Sequence, residues 1–465
     1  MSNTYSLEQQ IHSLSLLTNV AFGQKFAQPT GGPCATPNAY SNLQSFVSTT
    51  VTKVLTQDQA SGGSNYLGSS GNAWQCVWGP VVYSNNPNSN EVVADNTLAL
   101  YYNNNNYVVG IAGTNSVSSF GWLDEDFAVG NTVPWSQVVP ATKAPAKAAI
   151  SSGAQVGLQI LLSLKDKNNT NQTLVQYLQS KLSAANSGAN VYVAGHSLGG
   201  ALTHILALYL YETAASWNTG NAVTGITAYP TAGPTITNDV LTQYYEGILT
   251  AKSAPAFTYI AKINTLDIVP MAWALDTLSG APFIYDGFSD YKKYQVTPSD
   301  SMVAMMTTAA IMKSYHVNGL LSSFNNYTQI WSSGSVAMTG NYEPLASIVT
   351  TEQWFGINLI PTAFTNNSIL KKSQLASNYP QYLRNFIMFF IEAIYQHTTA
   401  YSDLLLISGF ADELAAIKKS IIGSEDGALQ SHVVLVNDFL NKLVGEGTLE
   451  ALAVQQEATE TTAVV

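Results

Sequence analysis

One junction constrains the fold more than any other part of the chain. The short apolar run Val191–Ala194 enters Gly195-His196-Ser197-Leu198-Gly199, and a long apolar segment, Leu198–Ala215, leaves it. A β-branched run of that length reads as a strand. The segment after it has no wide polar face, so it reads as a helix buried centrally. Glycines at 195 and 199 let strand and helix backbones approach closely, and the sharp turn between them would present Ser197 at the carboxyl edge of a sheet. The five-residue pattern alone says little, since roughly 0.1 to 0.2 chance matches are expected in a chain this long. Its flanks give it weight against the alternative, an ordinary Gly-Ser turn.

Around this junction the chain alternates. Ala144–Leu164 and Thr173–Ala185 read as helices, and Ile226–Tyr229 and Phe257–Ile263 as further strands. Alternating β and α elements imply an α/β fold with a mainly parallel central sheet flanked by helices. Upstream, Val77–Tyr83, Thr97–Tyr102 and Tyr107–Ile111 read as strands, with the turn Asn103–Asn106 between the last two. Asparagine tolerates positive φ, which suits a hairpin. Earlier still, Leu7–Val20 and Ala39–Gln57 are helical patterns separated by a loop around Pro29–Pro37. After Asp267 the alternation stops. We expect residues 1–75 to be a helical and loop extension and 76–410 the main α/β body. Within that body, about 271–385 reads as a long insertion, and 411–465 as terminal helices packed on the core.

Composition excludes some functions. The formal charge is −11 and Arg384 is the only arginine, whereas nucleic-acid binding needs clustered Lys or Arg. Only 10% of residues are charged, which suits an exported protein, yet Met1–Ser15 shows no signal-peptide pattern. No stretch reaches the about 18 apolar residues of a membrane span. Cys34 and Cys76 are too few for a disulfide framework and lack metal-ligand spacing. Neither a metal nor a cofactor is expected.

A serine hydroxyl attacks only when a histidine takes its proton and a carboxylate fixes that histidine. In sheets of this kind the three arrive in the chain order Ser, Asp, His. Asp267 follows a strand and precedes Ile-Val-Pro, so it is the candidate acid, with Asp276 and Asp239 as alternatives in less structured context. His12 and His432 fall outside the order or in terminal helices. His196 reads as a packing residue of the turn, and His204 as a satisfied core histidine. His316 and His397 remain as candidate bases. The backbone N–H of Leu198, at the start of its helix, can stabilise an oxyanion.

Val193-Ala194-Gly195-His196-Ser197-Leu198-Gly199-Gly200-Ala201-Leu202 resembles the nucleophile elbow of the class 3 lipases, the family that includes the filamentous-fungal triacylglycerol lipases. Val108-Val109-Gly110-Ile111-Ala112-Gly113-Thr114 resembles that family's oxyanion strand, and Gly121-Trp122-Leu123-Asp124 follows it. Asn264-Thr265-Leu266-Asp267-Ile268-Val269-Pro270 resembles the segment carrying its acid, and Ala228–Pro234 loosely matches the strand between. The resemblance spans roughly residues 95 to 275, and implies an α/β-hydrolase fold and a serine esterase acting on acylglycerol-type lipid esters through an acyl-enzyme. It assigns Thr114 to the oxyanion hole together with Leu198.

His316 matches the short acid-to-base spacing of the compact fungal enzymes. Tyr395-Gln396-His397 through Tyr401 resembles the family's terminal histidine followed by tyrosine, and His397 is the preferred base. Ala112 stands where the family usually has arginine. Ser116–Phe127 mixes apolar and acidic residues, as an amphipathic flap contacting lipid interfaces would, and Ser301–Met312, with four methionines, is a second lid candidate. Phospholipase A1 or feruloyl-type esterase activity, or a non-catalytic scaffold binding apolar ligands, are the alternative readings.

Overall fold

The computed structural model describes residues 4–27, 38–288, 326–342 and 392–422, apart from 61, 69–71, 116, 117, 119, 127, 168–169, 183–187, 252 and 279. His316, the Ser301–Met312 segment, Cys34, most of the expected insertion and the chain beyond 422 lie outside the described residues. So do the side chains of Trp122 and Leu123.

The β-rich runs form one mixed, mostly parallel sheet. Its strands are β1 (Gln75–Tyr83), β2 (Asn96–Asn103), β3 (Asn106–Ile111), β4 (Ala189–His196), β5 (Val223–Thr231), β6 (Ala256–Tyr259), β7 (Lys262–Asn264) and β8 (Val336–Met338). Across the sheet the order is β8-β7-β5-β4-β3-β2-β1, with β6 alongside β5. Pairing is parallel from β8 to β3 and antiparallel from β3 to β1. The asparagine stretch makes the expected hairpin. Asn103 pairs with Asn106, and Asn104 and Asn105 have φ of 45° and 62°, the two positive values a tight primed turn requires.

Side chains alternate across the sheet and divide the core in two. Leu98, Leu100, Val109, Ile111, Val191 and Val193 face one side, where they pack with Leu198, Leu202 and Ile205 of the helix Leu198–Glu212. Of that helix's 15 residues 12 are buried, so the absence of a polar face follows from its central position. Ala99, Tyr101, Val108 and Ala194 face the other side. There they meet Ile11, Leu14 and Leu17 of the helix Leu7–Thr18 and Phe410 and Leu414 of the helix Ser408–Ile422. The two ends of the described chain thus build one layer together. Ser6 starts the first helix with a capping box, its hydroxyl accepting from Gln9 while the Gln9 side chain accepts from the Ser6 N–H. Glu8 then meets Lys262 of β7 at 2.7 Å.

Three local expectations differ from the structure. Ala144–Leu164 is not one helix. Ala149–Ser151 is a strand paired antiparallel with Thr132–Pro134, and the helix Ser152–Ser163 starts only after Ser151, whose hydroxyl accepts from the Ala154 N–H as its cap. Phe257–Ile263 is split into β6 and β7, which contact successive stretches of the same neighbour, β5. Within the expected insertion, residues 326–342 return to the sheet and supply β8, and the Tyr327 hydroxyl donates to Val129 O at 2.7 Å.

Candidate active site

The site starts at the strand–helix junction. Ser197 has φ 60° and ψ −126°, a conformation that non-glycine residues adopt only when their surroundings enforce it. Two contacts supply that enforcement. The Ser197 N–H donates to Thr231 O on β5 at 3.0 Å. The glycines also close the turn tightly: a Cβ on Gly195 would sit 2.2 Å from Gly199 O, and one on Gly199 would sit 2.5 Å from Ile111 O. The loop after β3 lies against the same turn, since a Cβ on Gly113 would be 3.3 Å from Ser197 Cβ. Thr114 is therefore a neighbour of Ser197 and is buried.

Two more segments converge on this point. Asp267 lies in the turn after β7, and His397 lies at the end of a helical stretch just before the helix Thr399–Leu404. His397 Nε2 is 2.8 Å from Ser197 Oγ, and its Nδ1 is 2.9 Å from Asp267 Oδ2. The acid is inaccessible to solvent and the histidine side chain is 15% exposed. Asp239 instead sits in the first turn of the helix Asp239–Thr250, and Asp276 in the short helix Leu275–Leu278.

Residues to which the sequence reading gave no role hold Asp267 and His397 in place. The Tyr401 hydroxyl donates to Asp267 Oδ2 at 3.0 Å and accepts from the Asn264 N–H at 2.9 Å. Burial, reinforced by the Asp267 charge, pushes the Tyr401 phenol well above its usual range, so it stays a donor. Asp267 Oδ1 accepts from the Val269 N–H at 2.9 Å. Asn264 also donates to the Gln396 carbonyl at 2.9 Å and to its side chain at 2.7 Å, which ties β7 to the residue preceding His397. Four-residue spacing from His397 to Tyr401 was visible in the sequence. No local pattern marks Asn264 or Gln396, because their bonds join segments more than a hundred residues apart.

The side of the elbow next to Thr114 holds a buried carboxyl. Leu198 opens the elbow helix, where its N–H has no helical acceptor. The Thr114 hydroxyl donates to Asp126 Oδ2 at 2.5 Å. Burial raises Asp126 to about 7, against the lowering effects of the Thr114 bond and of His397. Burial likewise holds Glu125 well above the carboxylate range, with an opposing contribution from Asn96, whose amide donates to Glu125 Oε1 at 3.1 Å. The segment Gly121–Asp126 is a π-helical turn. An amphipathic flap would carry its acids outward, but Glu125 and Asp126 face inward and only Asp124 is exposed. Asn96 and Thr114 supply the donors that make inward placement tolerable.

His196 and His204 are more than filler. His196 packs its ring against His397 (centroids 4.9 Å, 38°) and edge-on to Tyr401 (4.9 Å, 76°). His204 lines a small cleft behind the first turn of the elbow helix, with Gly200, Thr235, Tyr259 and Ile330. Burial lowers its pKa to about 4. Its Nε2 and Thr235 Oγ1 are buried without a protein partner, so His204 is not the fully satisfied core histidine expected. Cys76 is a half-buried thiol that desolvation pushes up to about 12, so it stays protonated at neutral pH. Among the described residues no group of three side chains could hold a metal ion, and no helix is long and apolar enough to cross a membrane.

Comparison with known proteins agrees with this architecture. The family model described as Lipase (class 3) matches residues 127–276, which include Ser197 and Asp267. The solved M37 lipase superposes over 89% of this chain and 100% of its own, with a TM-score of 0.57 and 23% identity. A Penicillium expansum triacylglycerol lipase is 20% identical over 45% of this chain and 68% of its own, with a TM-score of 0.30. A Rhizopus microsporus var. chinensis lipase is 16% identical over 54% and 77%, with a TM-score of 0.32. No curated protein sequence matches significantly. Residues 127–276, which carry the elbow and the turn after β7, thus match a class 3 lipase model, on a sheet of the α/β-hydrolase fold, and the match supports a carboxylic-ester hydrolase.

Proposed function

We propose that Ser197, His397 and Asp267 are the catalytic triad and that the enzyme cleaves acylglycerol-type esters through an acyl-enzyme. The supporting observation is the unbroken line of contacts from Ser197 Oγ through both nitrogens of His397 to Asp267. Ser197 Oγ attacks the ester carbonyl carbon while its proton passes to His397 Nε2. Asp267 holds the Nδ1 proton and stabilises the imidazolium. The backbone N–H groups of Leu198 and Thr114 receive the oxyanion, each contributing about 3 kcal/mol to the transition state. The Thr114 hydroxyl, engaged by Asp126, orients its residue rather than the substrate. Collapse of the tetrahedral intermediate breaks the ester C–O bond, and the alcohol leaves with the proton from His397. Water then enters by the reverse path and frees the acid. Because Asp126 belongs to the turn that follows Thr114, movement of that turn at a lipid surface would also move the oxyanion donor.

A fluorophosphonate probe tests the assignment directly. Wild-type protein is expected to label at Ser197 and to hydrolyse emulsified triglyceride, while Ser197→Ala folds normally and does neither. His397→Ala should lower turnover by several powers of ten. Substantial turnover by Ser197→Ala would remove the serine from the mechanism.

A further inference from the structure

His397 is held by two hydrogen bonds that both lie in its ring plane, one at Nδ1 and one at Nε2. Such bonds fix where the nitrogens are. They resist poorly a tilt of the ring about the line joining the two partners. The Ser197 bond is also given up each time the serine is acylated. Something must therefore support the ring face, particularly as the base sits at a helix junction, where Thr398 has ψ −77°.

His196 occupies that place, and its ring is anchored to Thr231 on the neighbouring strand. His196 Nδ1 is 3.1 Å from Thr231 Oγ1, and the Thr231 hydroxyl is 3.2 Å from Gly195 O. Through its carbonyl Thr231 also accepts from the Ser197 N–H at 3.0 Å. His196 and Thr231 are register partners on neighbouring parallel strands. One threonine thus touches the residues before the nucleophile, the nucleophile itself and the ring against the base.

We infer that His196, fixed by Thr231, is a positioning residue that braces the face of His397 throughout the catalytic cycle. This rests on the triad assignment above. His196 suits the task because it remains neutral beside a ring that becomes charged. Burial holds it well below the ordinary imidazole range, and the charge of His397 pushes in the same direction, against an opposing contribution from the His397 backbone. It neither repels the imidazolium nor competes for the serine proton. Its edge contact with Tyr401 extends the brace to the residue that holds Asp267.

Three variants test the brace: His196→Ala, His196→Phe and Thr231→Val. Each is measured for kcat and KM on p-nitrophenyl butyrate, for the rate of fluorophosphonate labelling, and for thermal midpoint. Displacing a reacting group by about 1 Å costs about 100-fold. His196→Ala is therefore expected to lower kcat and the labelling rate together by about 10- to 100-fold, with KM within about twofold. His196→Phe, which restores a flat ring, should recover to within about threefold of wild type. Thr231→Val keeps its shape but loses the anchor, and should fall between them; it carries the test if His196→Ala does not fold. Labelling of folded His196→Ala or Thr231→Val at the wild-type rate would overturn the inference. So would a His196→Phe as slow as His196→Ala. Failure of the wild type to label at all would instead overturn the triad assignment.

Discussion

Replacing Tyr401 by Phe separates holding the acid from using it. The substitution removes one oxygen from a buried ring and leaves the edge contact with His196 intact. Two hydrogen bonds go with that oxygen. The Asn264 N–H loses its acceptor, and an unpaired buried N–H costs about 1–3 kcal/mol. Asp267 loses one donor at Oδ2 but keeps His397 there and the Val269 N–H on Oδ1. Bonds to charged groups contribute about 1.5–3 kcal/mol net, and since the two losses share one atom they do not add fully. A stability loss of about 2–4 kcal/mol is expected, read as a lower urea midpoint at unchanged slope.

Turnover should suffer less. The acid still holds the Nδ1 proton, and its position loosens only slightly, so kcat should fall about 3- to 10-fold with KM unchanged. Asp267→Asn, measured alongside, should lose several powers of ten. An unchanged urea midpoint would refute the pairing of Asn264 through Tyr401. A kcat as low as that of Asp267→Asn would show that the hydroxyl takes part in the proton chemistry itself.

Two other outcomes follow from the same geometry. Asp126 has a folded-state pKa of about 7, raised above the ordinary carboxylate value of 3.8. Its proton therefore favours the folded state at low pH, and stability is lost as pH rises through about 7. Asp126→Asn should flatten part of the decline in thermal midpoint between about pH 4 and 7, the rest belonging to Glu125, and an unaltered pH dependence would contradict the burial argument. Gly199→Ala places a Cβ 2.5 Å from Ile111 O and 2.8 Å from Ala112 O. It should destabilise by about 3 kcal/mol or more, whereas Gly247→Ala, on an exposed helical position with nothing within 4 Å, should stabilise by about 0.5–1 kcal/mol. Circular dichroism melts of the two variants compare them directly.

What could be read from the sequence was local. Apolar and β-branched runs mark β3 and β4, a run without a polar face marks the elbow helix, and glycines at 195 and 199 mark a turn that only they can close. These signals lie within a few residues of one another, so the strand–turn–helix junction at Ser197 and the class of fold were legible. Even local reading misled where pairing outweighed propensity. Ala149–Ser151 joined a strand because Thr132–Pro134 lay beside it and Ser151 could cap the helix that followed.

The rest depended on distance along the chain. His397 is 200 residues from Ser197 and 130 from Asp267, and by chain order alone His316 was an equal candidate. Nothing periodic in the sequence could say that Thr231 holds the ring beside the base. Nor could it say that Glu125 and Asp126 turn inward, or that Leu7–Thr18 and Ser408–Ile422 share one face of the sheet. Each of these contacts exists because the sheet brings strand ends from remote parts of the chain to one edge. Side chains there find partners through position in space, and that information appears only once the strands have paired.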